Sequence, residues 1–249
     1  MSPPLFWVDH VPATGAVAVL SGSEGRHAVT VTRLKVGEPL LLGDGAGSVA
    51  NAEVTSVDGK DTLRATVTRF EFSERPNPQV TVVQALPKSE RSELAVDLAT
   101  EAGVDRIVPW QASRCVSRWT GKADKGVAKW RAAAAAAAKQ SRRPWIPEIA
   151  ELASTTDIRG RAAEVITAGG VVAVLHEHGA VGVAELDLST APEILLVVGP
   201  EGGLDDSEIA DLTALGARSV ILGPEVLRTS TAAAVALGAL GVLTSRWSR

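Results

Sequence analysis

The sequence has very little cysteine: Cys115 is the only one in 249 residues. A single thiol excludes an internal disulfide and any cysteine-rich zinc site. The first residues carry neither the basic nor the long apolar segment of a signal peptide. The most apolar predicted helix, Ala232–Leu243, is shorter than the roughly 20 residues that a membrane span needs. We therefore expect a cytoplasmic protein with no membrane partner.

Several well-known sequence motifs are also missing. The sequence has no Gly-x-Gly-x-x-Gly after an early strand and no Gly-x-x-x-x-Gly-Lys-Ser/Thr, so the common nucleotide-binding folds are unsupported. It also lacks Gly-x-Ser-x-Gly, which leaves no nucleophile elbow for a serine hydrolase. His176 and His178 flank Glu177, but no third ligand lies near them in the sequence, so we expect no metal.

The chain is slightly acidic overall, but its basic residues are concentrated in one region. The formal net charge is −4, and 22% of the residues are charged, as in an ordinary globular protein. From Arg106 to Arg143 there are ten basic residues, and Asp124 is the only acid. This basic band fits either a polyanion-binding surface or a set of solvated helix faces.

The central part of the sequence runs from Ile194 to Leu212. Ile194–Val198 is aliphatic throughout and predicts a strand buried on both faces. Gly199–Gly203 reads Gly-Pro-Glu-Gly-Gly, which breaks regular structure. Asp205 and Glu208 have the spacing of a capping box that opens a helix. A buried strand, a glycine loop and a helix start predict a ligand-binding corner of an α/β protein.

A second corner follows with the same pattern. Ser219–Leu222 predicts another short strand, and Gly223–Glu225 repeats Gly-Pro-Glu before a helix that extends to about Leu243. The two loops can therefore flank one pocket. Residues 1–72 differ, since short runs with alternating polarity predict a small β-rich module. Residues 73–78, with two prolines, predict a linker, and 79–249 form the second domain.

Gly199–Gly203 and Leu222–Ala232 resemble the two signature loops of the SPOUT methyltransferases. The closest resemblance is to the family that methylates N3 of a uridine in 16S, or small-subunit, ribosomal RNA. It implies an α/β SPOUT fold with a C-terminal trefoil knot, preceded by a small PUA-like β-barrel RNA-binding domain. It also implies S-adenosylmethionine as cofactor and the small ribosomal subunit as partner.

The resemblance implies which residues surround the cofactor. The two loops supply backbone groups and an apolar slot, and the strand end before His176 lines the same pocket. The implied cofactor-binding residues are Leu175, His176, Val198, Gly199, Pro200, Gly202, Gly203, Leu222, Gly223, Val226, Leu227, Thr231 and Ala232.

Methyl transfer to uridine N3 requires loss of the imide proton, so a base or a group that stabilises the imide anion is expected. The candidate catalytic residues are Arg228, for the anion or a phosphate, and Glu201, for a structural or proton-accepting role. Many relatives have glutamate where this chain has Ser230, and arginine where it has Glu225. The base is therefore left unassigned.

The implied RNA-binding residues are basic and lie in four segments. The stretch around Gly25-Arg26-His27 matches a helix of the barrel that usually reads acidic-Ala-His-His, so only the second histidine is kept. The full set is Arg26, His27, Arg33, Lys88, Arg91, Arg142 and Arg143.

We further expect a homodimer. Ala232–Leu243 is apolar nearly all round, and SPOUT sites are completed across a two-fold interface.

Two alternative functions stay open at this point. One is an RNA-binding or ribosome-assembly protein that keeps the fold without catalysis. The other is a SPOUT enzyme that acts on transfer RNA or on a ribose 2′-hydroxyl.

Overall fold

The computed structural model describes residues 2–248, with only the backbone at Ser89. The chain divides into two compact units. The first contains the residues up to Arg75 together with Ala138–Ile146, and the second contains Pro76–Ala137 and the residues from Pro147 onward.

The first unit is built on a five-stranded sheet. Its strands are β1 (Leu5–Trp7), β2 (Val17–Leu20), β3 (Pro39–Gly43), β4 (Ser48–Asp58) and β5 (Thr62–Phe72). Their order is β1-β3-β4-β5-β2, and only the β1–β3 pair is parallel. Helix α1 (Gly22–Arg26) continues into a π-helical turn over His27–Val31. Alternate residues of β4 and β5 point into the core, as the alternating pattern predicts.

The segment 138–146 packs within this first unit. Trp145 donates its indole Nε1–H to the carbonyl of Ser73 at 2.8 Å, and the Arg75 guanidinium lies 4.1 Å from the centre of its ring. Gly47 has a φ of +102°, and a Cβ added there would lie 2.6 Å from the Trp145 ring. These contacts place the segment with the β-rich residues, which the boundaries drawn from the sequence do not include.

The second unit contains a seven-stranded sheet in which every strand pair is parallel. Its order is β10-β12-β9-β11-β6-β7-β8. The strands are β6 (Gln79–Ala85), β7 (Arg106–Trp110), β8 (Glu148–Ile149), β9 (Val171–Leu175), β10 (Val181–Gly182), β11 (Glu193–Val198) and β12 (Arg218–Ile221). The helices are α2 (Ser92–Glu101), α3 (Ala123–Gln140, whose last three residues belong to the first unit), α4 (Thr155–Thr167), α5 (Asp206–Ala214) and α6 (Thr229–Leu243). No helix among residues 2–248 is long and apolar enough to cross a membrane.

Strand β11 lies at the centre of this sheet, between β9 and β6. Ile194–Val198 is at most 2% exposed, which confirms a strand buried on both faces. In the register of the sheet, Val198 is paired with Leu175 on one side and Gln84 on the other. Because the strands are parallel, their carboxyl ends lie at the same edge, where the following loops meet.

Helix α6 begins at Thr229, three residues before the start that the apolar pattern predicts. Its first turn is polar, Thr229-Ser230-Thr231, so hydrophobic periodicity does not mark it. The helix packs against α2, β6 and β11. The earlier start makes Arg228 the residue that precedes the helix, with an extended backbone.

Candidate active site

A cavity of about 570 Å³ lies at the carboxyl edge of the parallel sheet. It is lined by the end of β9, by the loop after β11 and by the segment that leads into α6. Lys88 and Arg91, which follow β6, complete its rim. The first Gly-Pro-Glu turn and the residues that follow the second, Val226, Leu227 and Arg228, therefore line one cavity. Gly223, Pro224 and Glu225 line a smaller cavity of about 100 Å³ instead.

The first loop makes a tight turn over Gly199–Gly203. The amide of Gly203 donates to the carbonyl of Pro200 at 2.9 Å, and Gly203 has a φ of +74°, which favours glycine. A Cβ added to Gly199 would lie 2.9 Å from Cγ of Leu204, a side chain that is 3% exposed. The loop thus needs glycine at Gly199 for space and at Gly203 for backbone conformation.

The second loop runs from Leu222 to Arg228. At Gly223 an added Cβ would meet nothing closer than a Glu225 side-chain oxygen at 3.7 Å, so close packing within the chain does not require glycine there. The amides of Thr231 and Ala232 both donate to the carbonyl of Arg228, at 2.9 and 3.0 Å. These two bonds fix where the loop ends and α6 begins.

All of the implied cofactor-binding residues except Thr231 line one of the two cavities. Leu175, His176, Val226, Leu227 and Ala232 line both. Val198, Gly199, Pro200, Gly202 and Gly203 line the larger one, and Leu222 and Gly223 line the smaller one. The Thr231 hydroxyl instead donates to the carbonyl of Arg228 at 3.1 Å.

Charged side chains of both signs surround the larger cavity. Glu201 accepts the backbone N–H of Lys88 through Oε1 at 3.0 Å, so this carboxylate ties the first loop to the segment after β6. Arg228 is exposed and lines the cavity, and no ion pair joins it to any residue among 2–248 whose contacts are described. The two candidate catalytic residues therefore share one cavity with Lys88 and Arg91.

Three buried polar side chains lie near the loops, and the sequence gives no sign of the first of them, Gln84. Gln84, at the end of β6, donates Nε2–H to the carbonyl of Thr229 at 3.4 Å. Ser230 is 2% exposed and lines the larger cavity, and within the described residues its Oγ has no hydrogen-bond partner. Glu208 is 4% exposed and accepts the N–H of Ser113 at 2.9 Å.

The first loop is also held from outside the strand-loop-helix corner. Arg114 donates Nη1–H to the carbonyl of Leu204 at 3.1 Å and Nη2–H to the Asp205 carboxylate at 3.0 Å. Its own carbonyl lies 3.3 Å from the position of a Cβ added to Gly202. The capping box of Asp205 and Glu208 is present as predicted. Arg114 therefore fixes both the loop and the helix start that follows it.

Titration of the surrounding groups follows their contacts. Burial raises the pKa of the Cys115 thiol, which makes it a poor nucleophile at neutral pH. Hydrogen bonds from the Ser207 hydroxyl and N–H lower the pKa of Asp205, with a further contribution from Arg114.

The His176 and His178 rings lie 5.8 Å apart, and the described residues contain no group of three or more side chains suited to hold a metal.

The RNA-binding candidates of the first unit occupy several places on it. Arg26 and His27 line a shallow pocket near Asp61, and Arg33 is exposed with a φ of +61°. His27 Nδ1 lies 3.3 Å from Nζ of Lys139, a lysine that is paired with the Glu24 carboxylate at 2.6 Å.

Arg142 and Arg143 belong to the segment 138–146 of the same unit. Arg142 is exposed, has a φ of +55° and donates Nε–H to the carbonyl of Pro3 at 2.9 Å. The Arg143 backbone N–H donates to the carbonyl of Ala138 at 2.9 Å.

Half of the basic band is paired with acids that lie outside it in the sequence. The pairs are Arg106–Glu148 at 3.3 Å, Arg114–Asp205 at 3.0 Å, Lys129–Glu93 at 3.9 Å, Arg131–Glu151 at 2.7 Å and Lys139–Glu24 at 2.6 Å. The charge that this band can offer to a polyanion is therefore smaller than the sequence count implies.

Two family models match the chain over separate stretches. A model described as an RNA methyltransferase domain matches residues 73–241, and one described as an RNA methyltransferase PUA domain matches residues 20–68. Two similar curated proteins are both named ribosomal RNA small subunit methyltransferase E. The one from Mycobacterium bovis is 54% identical over 98% of this chain and 93% of its own length. The one from Bacillus subtilis is 30% identical over 90% of each.

Solved structures share the fold over nearly all of the chain. A ribosomal RNA small subunit methyltransferase E from Neisseria gonorrhoeae, bound to S-adenosyl methionine, superposes with a TM-score of 0.84 at 23% identity, covering 97% of this chain and 98% of that one. A Legionella pneumophila protein in complex with the cofactor SAM has a TM-score of 0.82 at 27% identity, with the same coverage.

Proposed function

Since the chain belongs to the family of ribosomal RNA small subunit methyltransferase E, we propose that it methylates N3 of a specific uridine in 16S ribosomal RNA, with S-adenosylmethionine as cofactor. The observation that carries the proposal is the shared cavity. The first Gly-Pro-Glu turn, the residues Val226, Leu227 and Arg228 after the second, and the end of β9 line one space of about 570 Å³, a volume within the range of small-molecule sites.

The cavity fits an adenosyl cofactor in its chemistry. Leu175, Val198, Val226 and Leu227 supply apolar walls, and the glycine loop lets backbone groups approach a ligand closely. Buried hydrogen-bonding groups are also at hand, since Ser230 lines the cavity with its Oγ unpartnered among the described residues. When bound there, the cofactor supplies an electrophilic methyl group on a sulfonium.

The charged residues act on the uridine. N3 becomes a nucleophile only when its proton leaves, and the resulting negative charge spreads over the imide. Arg228 is exposed and lies on the cavity wall, where it stabilises that anion by charge and hydrogen bonding. Glu201 holds the loop through its bond to the Lys88 N–H and keeps Oε2 as a proton acceptor.

The strand order supports a knotted SPOUT fold. β12 lies on the outer side of β9, yet the next element, α6, packs against β6 and β11 on the other side. The chain between them, Leu222–Arg228, must therefore cross back past the loop Gly199–Gly203, with which it shares the cavity. We propose that this crossing is the C-terminal trefoil knot and that residues 79–249 constitute the methyltransferase domain.

A homodimer is part of the proposal. Apolar side chains on α6 and on its neighbour α2 are exposed: Val235 by 45%, Val242 by 75%, Leu243 by 44% and Leu94 by 43%. A second copy covering this face would bury them. Sedimentation or light scattering at micromolar concentration checks this, and a fully active monomer would contradict it.

The proposed substrate places the protein in the cytoplasm with the small ribosomal subunit. The residues proposed to contact the RNA are Lys88 and Arg91 beside the cavity, and Arg26, His27, Arg33, Arg142 and Arg143 in the PUA-like domain, residues 1–72 with the added segment.

Single-turnover methylation with radiolabelled cofactor tests the assignment. Assembled small subunits, naked 16S RNA and transfer RNA are offered separately. Label in the uracil base of ribosomal RNA is expected, and label in transfer RNA or ribose would overturn it.

A further inference from the structure

We propose that the N-terminal turn of α6 is an oxyanion site, formed by the backbone N–H groups of Thr229 and Ser230 and by the Ser230 hydroxyl. The ligand is a carboxylate or a phosphate oxygen that enters the larger cavity. This inference rests on the proposed function, because it assigns one part of the same cavity to one chemical group of the cofactor or of the RNA.

The start of α6 lacks the capping side chain and the acidic residues that usually balance the partial positive charge of a helix N-terminus. The helix is 15 residues long, yet the residue before it, Arg228, makes no side-chain capping bond, and its first turn contains no acidic residue. The partial positive charge at the helix start is therefore not balanced by a carboxylate of the helix itself.

Two backbone donors of this turn have no acceptor. The amides of Thr231 and Ala232 bond to the carbonyl of Arg228, but the described residues provide no acceptor for those of Thr229 and Ser230. Little of this turn faces bulk solvent, since Thr229 is 6% exposed and Ser230 is 2% exposed. A buried helix start with unpaired N–H groups is costly and is normally satisfied by a cap, by water or by a ligand.

The Ser230 side chain gives an independent indication. Its Oγ is buried, it has no hydrogen-bond partner in the described part of the chain, and the residue lines the larger cavity. A buried hydroxyl without a partner costs about as much as a lost hydrogen bond. Two backbone N–H groups and one hydroxyl that share a cavity wall and lack acceptors together select a ligand rich in acceptor oxygens.

The ligand class follows from these donors. The cavity is lined by Lys88, Arg91 and Arg228 but also by three glutamates, so net charge does not distinguish ligands there. The N–H and O–H donors at the start of the helix distinguish between ligands, because they favour an oxyanion. Two sources are available under the proposed function: the carboxylate of the methionine part of the cofactor, and a phosphate next to the target uridine.

The experiment compares Ser230→Ala with wild type by calorimetry, using S-adenosylhomocysteine and 5′-methylthioadenosine. The second compound lacks the amino acid and hence the carboxylate. Uridine 5′-monophosphate and uridine form a second pair that differs by the phosphate. Ser207→Ala is the matched control, because Ser207 occupies the same helix position in α5, where the cap is satisfied.

If the ligand is the carboxylate, Ser230→Ala should lower the affinity for S-adenosylhomocysteine about 10- to 100-fold, as expected for loss of a hydrogen bond to a charged group. The affinity for 5′-methylthioadenosine should not change. A phosphate ligand predicts unchanged affinity for both of these, with loss of the preference for uridine 5′-monophosphate over uridine.

Equal weakening of S-adenosylhomocysteine and 5′-methylthioadenosine, or no change in any affinity, would overturn the site. The proposed function fails separately, if the wild type binds neither adenosyl compound. Thermal unfolding of Ser230→Ala verifies that the variant is folded.

Discussion

Arg228 has two separate roles. Its carbonyl accepts the first amide hydrogen bonds of α6, and its side chain faces the cavity. The backbone role survives any substitution, because it uses only the carbonyl. The side-chain role does not. A change at this residue therefore separates chemistry from folding more cleanly than a change at Glu201, whose carboxylate also holds the Lys88 backbone.

Arg228→Ala is expected to leave affinity for S-adenosylhomocysteine nearly intact and to slow methyl transfer about 100- to 1000-fold, or about 2.7–4 kcal/mol, as for removal of an anion-stabilising donor. Calorimetry and single-turnover methylation of small subunits measure the two quantities. Arg228→Lys, which keeps the charge, should recover part of the rate. Equal loss of binding and rate would place Arg228 among the cofactor ligands instead.

Gly199→Ala is expected to lower the free energy of unfolding by about 1–3 kcal/mol, because the new Cβ meets the buried Leu204 side chain at 2.9 Å. Affinity for S-adenosylhomocysteine should fall as the loop shifts. Gly160→Ala is the control: Gly160 lies inside α4 with nothing within 4 Å of an added Cβ, so this change should raise stability by about 0.5–1 kcal/mol. Urea unfolding measures the free energy of unfolding of both variants. An unchanged value for Gly199→Ala would show that the loop shifts to accommodate the added Cβ.

At the scale of elements, the hydrophobic pattern was a good guide where burial alone decides the structure. Ile194–Val198 is a buried strand, and the box of Asp205 and Glu208 does open a helix. The two-residue strands β8 and β10 were not predicted, because so short a strand depends on an existing neighbour and leaves no period in the sequence. The start of α6 was missed because its first turn is polar.

The helix caps predict a dependence of stability on acid. Hydrogen bonds from Ser207 lower the pKa of Asp205, and those from Ser154 lower the pKa of Asp157. Because these pKa values are lower in the folded chain, the stabilisation is complete above the unfolded value, about 3.9, and is lost as pH falls through the folded value. Melting temperature should therefore drop below about pH 4. The double variant Asp157→Asn and Asp205→Asn should show a smaller drop in melting temperature. An identical drop would show that protonation of these two aspartates does not cause it.

At the scale of the whole molecule, the sequence predicts which loops meet but not how charges are paired. The loops that carry the two Gly-Pro-Glu motifs converge because both follow strands of a parallel sheet, and all such strands end at one edge. Ion pairs such as Arg106–Glu148 and Arg131–Glu151 join residues that tertiary packing brings together, so the count of basic residues overstated the free charge. The placement of 138–146 in the first unit likewise depends on packing around Trp145.

Replacing Arg142 and Arg143 by alanine is expected to weaken binding to small-subunit RNA. The slope of log affinity against log salt should also become shallower, by roughly 0.7–0.9 for each phosphate that the variant no longer neutralises. Arg106→Ala is the matched control, since Arg106 is already paired with Glu148 at 3.3 Å and should leave the slope unchanged. Filter binding over a salt series measures both. An unchanged slope in the double variant would show that these arginines do not bind phosphate.

Mass mapping of methylated nucleotides in 16S ribosomal RNA, from cells with and without the gene, tests the proposed function most directly. One uridine methylated at N3 should be present in the wild type, absent without the gene, and restored when purified protein and S-adenosylmethionine are added to the deficient small subunits. The Arg228→Ala protein should restore it far more slowly. An unchanged 16S map, or a methyl group lost only from transfer RNA or from a ribose, would contradict the assignment.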